Sequence, residues 1–176
     1  MPGSAKLTRT DIHRLFELLD AELAREDVVG EVYVVGGAVM CLALDARPAT
    51  LDVDAFFRPA RTIRQAAARV AAQVGVRDDW LNDAVKAFLS PGGEFDPYIE
   101  RDHLRVFVAR PEYLLAMKCV SMRLGEEFQD LDDVRFLLRY LNISTVEAAL
   151  DVVHRYFEDE HIPAKTRFAL EELLSR

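Results

Sequence analysis

Cysteine is nearly absent: Cys41 and Cys119 are the only two, both set among apolar neighbours. Their count and spacing exclude a disulfide scaffold and a cysteine-ligated metal, and they read as buried thiols of a reducing compartment. Long hydrophobic runs are missing too. No stretch nears the roughly 18 apolar residues of a membrane span, and residues 1–10 lack the apolar core of a secretory leader. The expectation is a soluble, cytoplasmic chain with no membrane partner. Positive charge is in short supply: 22 basic against 30 acidic side chains leave a net charge of −8. That excludes an unaided, non-specific grip on nucleic acid, which depends on lysine and arginine meeting phosphates. The four histidines, His13, His103, His154 and His161, are scattered without ligand spacing. Ser121 has no histidine–acid partnership, so no hydrolase triad is legible. Internal repeats and low-complexity tracts are lacking as well.

What is present is an ordinary globular balance, 51% hydrophobic and 30% charged over 176 residues. It suits one compact domain, with two lobes at most. Residues 10–25 carry Ile12, Leu15, Phe16, Leu19 and Leu23 at helical spacing. A β-branched run at 31–35 predicts a strand, broken by Gly36 and Gly37, with a short helix at 38–44. Residues 51–57 predict a second strand and 62–74 an Ala- and Arg-rich helix. Residues 80–89 read as a short helix and 90–93 as a loop. Residues 104–109 predict a third strand, with Glu100 and Asp102 in the loop before it. Pro111 sits where proline suits a helix start, and that helix runs to 123, with Gly125 interrupting. A further helix covers 129–141. Ser144 with Glu147 forms a capping-box pattern for a helix to 157, and Pro163 opens a last helix to 174. The fold class expected is α+β: a small mixed β-sheet core with flanking helices over 1–110, then a helical lobe over 111–176, together one compact unit.

The chemistry concentrates in Val34-Val35-Gly36-Gly37-Ala38 and Thr50-Leu51-Asp52-Val53-Asp54-Ala55-Phe56. Strand side chains alternate, so Asp52 and Asp54 point one way while Leu51, Val53 and Ala55 point into a core. Two like charges side by side repel unless a cation joins them. Oxygen-only ligands favour Mg²⁺ or Mn²⁺. Glycine lets backbone approach a phosphate closely. Alone, an Asp-X-Asp also reads as a solvated edge strand, and a Gly-Gly says little. Arg58, Arg61, Arg64 and Arg69 read as a solvated helix or as a basic surface.

A second constellation follows. Lys118 shares a helical stripe with Leu114, Leu115 and Met122, where a lysine either snorkels to water or meets a buried anion. Arg123 leads on to Asp130-Leu131-Asp132-Asp133. Asp130 sits near a helix start, where caps are common. Asp133 runs on to Phe136, Leu137 and Tyr140, so it faces inward; Asp132 aligns with Arg135 and Arg139 as a solvated ion-pair face.

Strand, Gly-Gly, short helix and Asp-X-Asp together resemble the signature of the polymerase-β-like nucleotidyltransferase superfamily, with fourteen residues between Gly37 and Asp52. The Lys…Arg…Asp-X-X-Asp segment and the stretch from Trp80 to Asp83 resemble the AbiEii-like branch, which includes toxins of bacterial toxin–antitoxin pairs. The resemblance spans roughly residues 32–141. It implies that Asp52 and Asp54 bind magnesium and a nucleoside triphosphate, with Gly36 and Gly37 as the phosphate-facing turn and Thr50 and Arg123 beside the nucleotide. Lys118 would neutralise phosphate charge, and Asp130 or Asp133, with the inward stripe favouring Asp133, would act as base or complete the polar site. The strand at 104–109 offers no third carboxylate, which fits the toxin-like branch. The implied reaction is transfer of a nucleoside monophosphate to an acceptor hydroxyl, with tRNA as a possible acceptor and an antitoxin protein as a possible partner. A small-molecule, antibiotic-type nucleotidyltransferase and a catalytically silent binding protein are the alternatives.

Overall fold

A computed structural model describes residues 5–123 and 129–175; the break expected at Gly125 lies outside them. It is a mixed α+β fold with seven α-helices, a five-stranded mixed sheet and a two-stranded one among the described residues. The chain divides into two compact units, 1–87 with 95–109 and 88–94 with 110–176.

In the first unit, β1 (Leu7–Thr8) leads into α1 (Arg9–Arg25), then β2 (Gly30–Val34), α2 (Gly36–Leu42), β3 (Ala49–Thr50), β4 (Val53–Arg58), α3 (Ala60–Val74), β5 (Leu81–Asn82), β6 (Phe95–Glu100) and β7 (Leu104–Ala109). Helix α1 starts at a reciprocal cap: Thr8 Oγ1 accepts from the Asp11 N–H, and Asp11 accepts from the Thr8 N–H. The strand order is β5-β4-β2-β7-β6, with β2 antiparallel to β4 and parallel to β7. β1 pairs with β3 separately. Val32, Val34, Ala55, Phe57, Val106 and Val108 turn one face of the sheet into core. Gly30 lies on that face, and a Cβ there would sit 2.9 Å from both Leu23 of α1 and Ile63 of α3. Glycine therefore lets both helices press onto the sheet, and burying residues the size of Leu23 and Ile63 contributes about 1.5–3 kcal/mol each.

In the second unit, α4 (Pro111–Ser121) is apolar nearly all round, with Tyr113, Leu114, Leu115, Ala116, Met117 and Cys119 buried. Such a helix must be surrounded, and α5 (Asp130–Tyr140) and α6 (Val146–His154) pack on it, with α7 (Ala164–Leu174) against both of these. Thr166 donates from its hydroxyl to the Cys119 carbonyl at 2.7 Å. Residues 88–94 belong here: the Ser90 N–H donates to Tyr113 Oη at 3.0 Å, and the Ser90 hydroxyl to the Tyr156 carbonyl at 2.6 Å.

Several local expectations need correction. Residues 80–89 form strand β5 and a 3-10 turn, Ala84–Phe88, instead of a helix. Strand β6 takes up part of the expected loop: Glu100 lies within the strand, while Asp102 lies in the connection to β7 as expected. Asp52 precedes β4, and Leu51 is 51% exposed instead of buried, because regular pairing to β2 and β5 begins only at residue 53 and beyond. The helix after residue 144 is capped by Thr145, whose hydroxyl accepts from the Ala148 N–H; Ser144 is not the cap.

Candidate functional site

Asp54 is fixed by strand pairing on both sides. Its carbonyl accepts from the Val35 N–H at 2.9 Å, and its register partner on β5 is Asn82. The β5 connection is anchored behind it by Trp80, whose indole N–H donates to the Ala67 carbonyl at 3.0 Å, while the Val53 N–H donates to the Trp80 carbonyl at 2.7 Å. Asp52 is held from two directions. The Thr50 hydroxyl donates to its carbonyl at 3.2 Å, and the Asn82 amide to its carboxylate at 3.3 Å. Asp52 and Asp54 are both half-buried.

Burial, and then the neighbouring Asp54 charge, hold the Asp52 carboxyl above the ordinary range. Arg77 and the Asn82 amide offset part of this, and Asp79 adds to it. The surroundings as a whole therefore disfavour a negative charge at Asp52.

Gly36 lies against Asp54, and Gly37 against Thr50 and Arg47. Gly36 adopts φ +65°, and a Cβ on it would stand 3.3 Å from Asp54 Oδ2. A Cβ on Gly37 would stand 2.8 Å from an Arg47 guanidinium nitrogen and 3.1 Å from Thr50 Oγ1. The left-handed backbone at 36 favours glycine, and at 37 a Cβ would crowd Thr50 and displace the end of the Arg47 side chain. Gly36, Gly37, Thr50, Asp52 and Asp54 are thus gathered in the first unit. Arg47 and Asn82 join them, neither singled out from sequence as site residues. Asn82 had a signal in the Trp80–Asp83 stretch, but its role depends on a two-residue strand too short to show a period.

Lys118, Arg123, Asp130 and Asp133 lie in the second unit and form a network of their own. Lys118 Nζ meets Asp130 Oδ1 at 3.1 Å and Asp133 Oδ2 at 2.8 Å. Asp130 Oδ2 accepts from the Arg123 backbone N–H at 3.0 Å and from Arg123 Nε at 2.9 Å. Both aspartates are 4% exposed. Burial pushes the Asp130 carboxyl upward, but Arg123 and Lys118 together outweigh it and hold it below the ordinary range. Two carboxylates meet one ammonium and one guanidinium, so the charges balance. This ties the end of α4 to the start of α5. Asp132 pairs with Arg135 on the exposed side at 2.7 Å.

The arginine surface is largely engaged: Arg58 with Glu31, Arg64 with Asp83, Arg69 with Glu22 and Glu26. Cys41 and Cys119 are free and buried, and burial pushes the Cys119 thiol up to about 12. His161 lies with Glu158 and Glu160, their ligand atoms within 4.8 Å of one another; all three are exposed. Among the described residues no helix is long and apolar enough to cross a membrane. Comparison with protein-family models, with curated proteins and with solved structures finds no match.

Proposed function

We propose that this chain is a magnesium-dependent nucleotidyltransferase centred on Asp52 and Asp54. The observation that carries the reading is the pairing of two half-buried carboxylates, one with its carboxyl raised by burial and by the other's charge, beside a Gly-Gly turn whose Gly36 approaches Asp54 and whose Gly37 approaches Thr50 and Arg47. The donor set fits a hard divalent cation, since it offers carboxylate oxygens without thiolate or imidazole. Magnesium bound there would neutralise charge on the triphosphate during transfer.

The chain's own residues do the rest. Asn82 and Thr50 fix the approach of Asp52, and strand pairing fixes Asp54, so the two carboxylates are preorganised instead of ordered on binding. Gly37 leaves the Arg47 guanidinium against the turn, where it supplies positive charge beside the glycines. In the reaction the acceptor oxygen bonds to the α-phosphorus as the bond to the pyrophosphate oxygen breaks. The acceptor's proton passes to water.

Lys118 as a phosphate ligand, with Asp130 or Asp133 completing the polar site, comes from the resemblance. An ammonium has three protons, and two carboxylates face this one, so we assign these residues first to holding α4 and α5 together. Arg123 shares that assignment. Transfer to tRNA is the first acceptor reading, with an antitoxin as partner. A cationic small-molecule acceptor is the second, favoured by the net charge of −8 and by the carboxylate-paired arginines.

The test is a transfer assay with Mg²⁺, each α-labelled nucleoside triphosphate and total bacterial RNA, with Asp54→Asn as control. Label on RNA from the wild type alone supports the tRNA reading. Transfer to aminoglycoside-like acceptors instead supports the second. Nucleotide binding without transfer to either indicates a silent relative, and no nucleotide binding contradicts the proposal.

A further inference from the structure

Helices α1 and α3 cover one face of the five-stranded sheet; the other face carries rings. Tyr33 on β2 stands opposite Phe56 on β4 and Phe107 on β7. The three rings stack in a row, with centroids 4.8 and 4.7 Å apart and planes inclined by 22° and 10°. Those separations match the spacing of hydrogen-bonded strands, about 4.7–4.9 Å. The rings therefore stand upright and repeat the ladder of the sheet beneath them. Phe95 closes edge-on against Tyr33 at 5.2 Å.

At Phe56 the row stops. Strand β5 pairs with β4 only as far as Asn82, opposite Asp54. Beyond it the chain turns into the 3-10 segment Ala84–Phe88, which begins at the exposed Ala84 and pairs no residue with Phe56. Phe56 is only half-buried, and no further ring stands against it among the described residues. It shares its strand face with Asp54, two residues and roughly 7 Å away at the rise of a strand. It also shares that face with Arg58, whose guanidinium lies 5.5 Å from the Tyr33 ring centroid and pairs with Glu31. Carboxylate, ring and guanidinium follow one another along one face of β4.

We propose that the planar base of a nucleoside triphosphate stacks on Phe56, adding one ring to the row, while its triphosphate reaches Asp52 and Asp54. The inference rests on the metal–nucleotide reading and extends it by naming what holds the base. An aromatic face reads no hydrogen-bond pattern, and every base has a π face. The site therefore takes all four bases with similar affinity and prefers any of them to a bare triphosphate.

The test is calorimetric titration of the full chain with Mg-ATP, Mg-CTP and Mg-tripolyphosphate. Both nucleotides should bind about thirty-fold more tightly than tripolyphosphate, the middle of the range for one stacked base. Phe56→Leu should lose that advantage and leave tripolyphosphate affinity unchanged, which also shows the variant folded. Phe56→Trp should keep or increase it. Equal binding of nucleotide and tripolyphosphate by the wild type overturns this inference and leaves the metal reading standing. Binding of neither overturns both. If Phe56→Leu leaves nucleotide affinity intact and weakens only single-stranded oligonucleotide binding, the ring holds an acceptor base and the proposal fails.

Discussion

The acidic clusters at Asp130–Asp133 and at Asp52–Asp54 are built on opposite electrostatic plans. Around Asp130 and Asp133, each carboxylate meets a cation, both are almost wholly buried, and the result lowers the Asp130 carboxyl. Around Asp52, which is only half-buried, burial and then the neighbouring Asp54 charge outweigh Arg77 and the Asn82 amide, and the result raises the Asp52 carboxyl. The first arrangement is complete in itself and joins two helices. In the second, the surroundings of Asp52 disfavour its charged form, a cost that a cation bound there would offset. Burial alone does not separate the two, since desolvation is the largest influence on Asp52 and Asp130 alike; the sign of what surrounds them does.

Breaking the balanced cluster should give the largest effect. Lys118→Met leaves two buried carboxylates without their shared ammonium and should cost about 3–5 kcal/mol, the usual result of breaking a buried pair. Denaturant unfolding of the full chain measures it; a loss under 1 kcal/mol would remove the structural assignment of Lys118. The opposite sign is expected in the other cluster. Asp52→Asn removes the like charge and should raise Tm in metal-free buffer by about 2–4 °C, the response to roughly 1 kcal/mol in a chain of this size. A lowered Tm would show that the pair is already compensated.

Acidity should separate the clusters further. The Asp52 carboxyl is raised, so the fold disfavours its ionised form. The advantage of Asp52→Asn should be nearly absent below pH 3.8, the ordinary aspartate value, and grow as pH rises through the folded value. Asp130 is depressed, so its contribution should be full above the ordinary range and disappear as pH falls through its folded value. Melting curves of Asp52→Asn and Asp130→Asn against wild type between acid and neutral pH would show the two differences running in opposite directions. The smallest effect belongs to Asp132→Ala, which breaks only an exposed pair with Arg135 and should change stability by less than about 0.5 kcal/mol.

Sequence periodicity located α1, α3 and the helices after Pro111, because each buries one stripe or is buried throughout. The Asp-X-Asp and Gly-Gly placed the carboxylates and the turn, and Asp133 faces inward as its stripe required. Other features depend on pairing that no local pattern records. Strand β6 contains Pro97, which is tolerated because β6 is an edge strand, with the register shifting between Pro97 and Ile99. Strand β5 is two residues long, so apolar residues from Trp80 onward mimicked a helix. Asn82 and Arg47 reach the site through tertiary contacts with residues 30 and 10 positions away in the chain. The charge network of Lys118 was legible as an alternative, a lysine meeting a buried anion, but its two partners were not.

The most direct measurement is an electron paramagnetic resonance titration of Mn²⁺ into wild type, Asp52→Asn and Asp54→Asn. The account predicts a single tight Mn²⁺ per wild-type chain, displaced by excess Mg²⁺ and lost in both variants, which remain folded. Wild type without a bound Mn²⁺, or variants that bind it as wild type does, would contradict a metal site at Asp52 and Asp54.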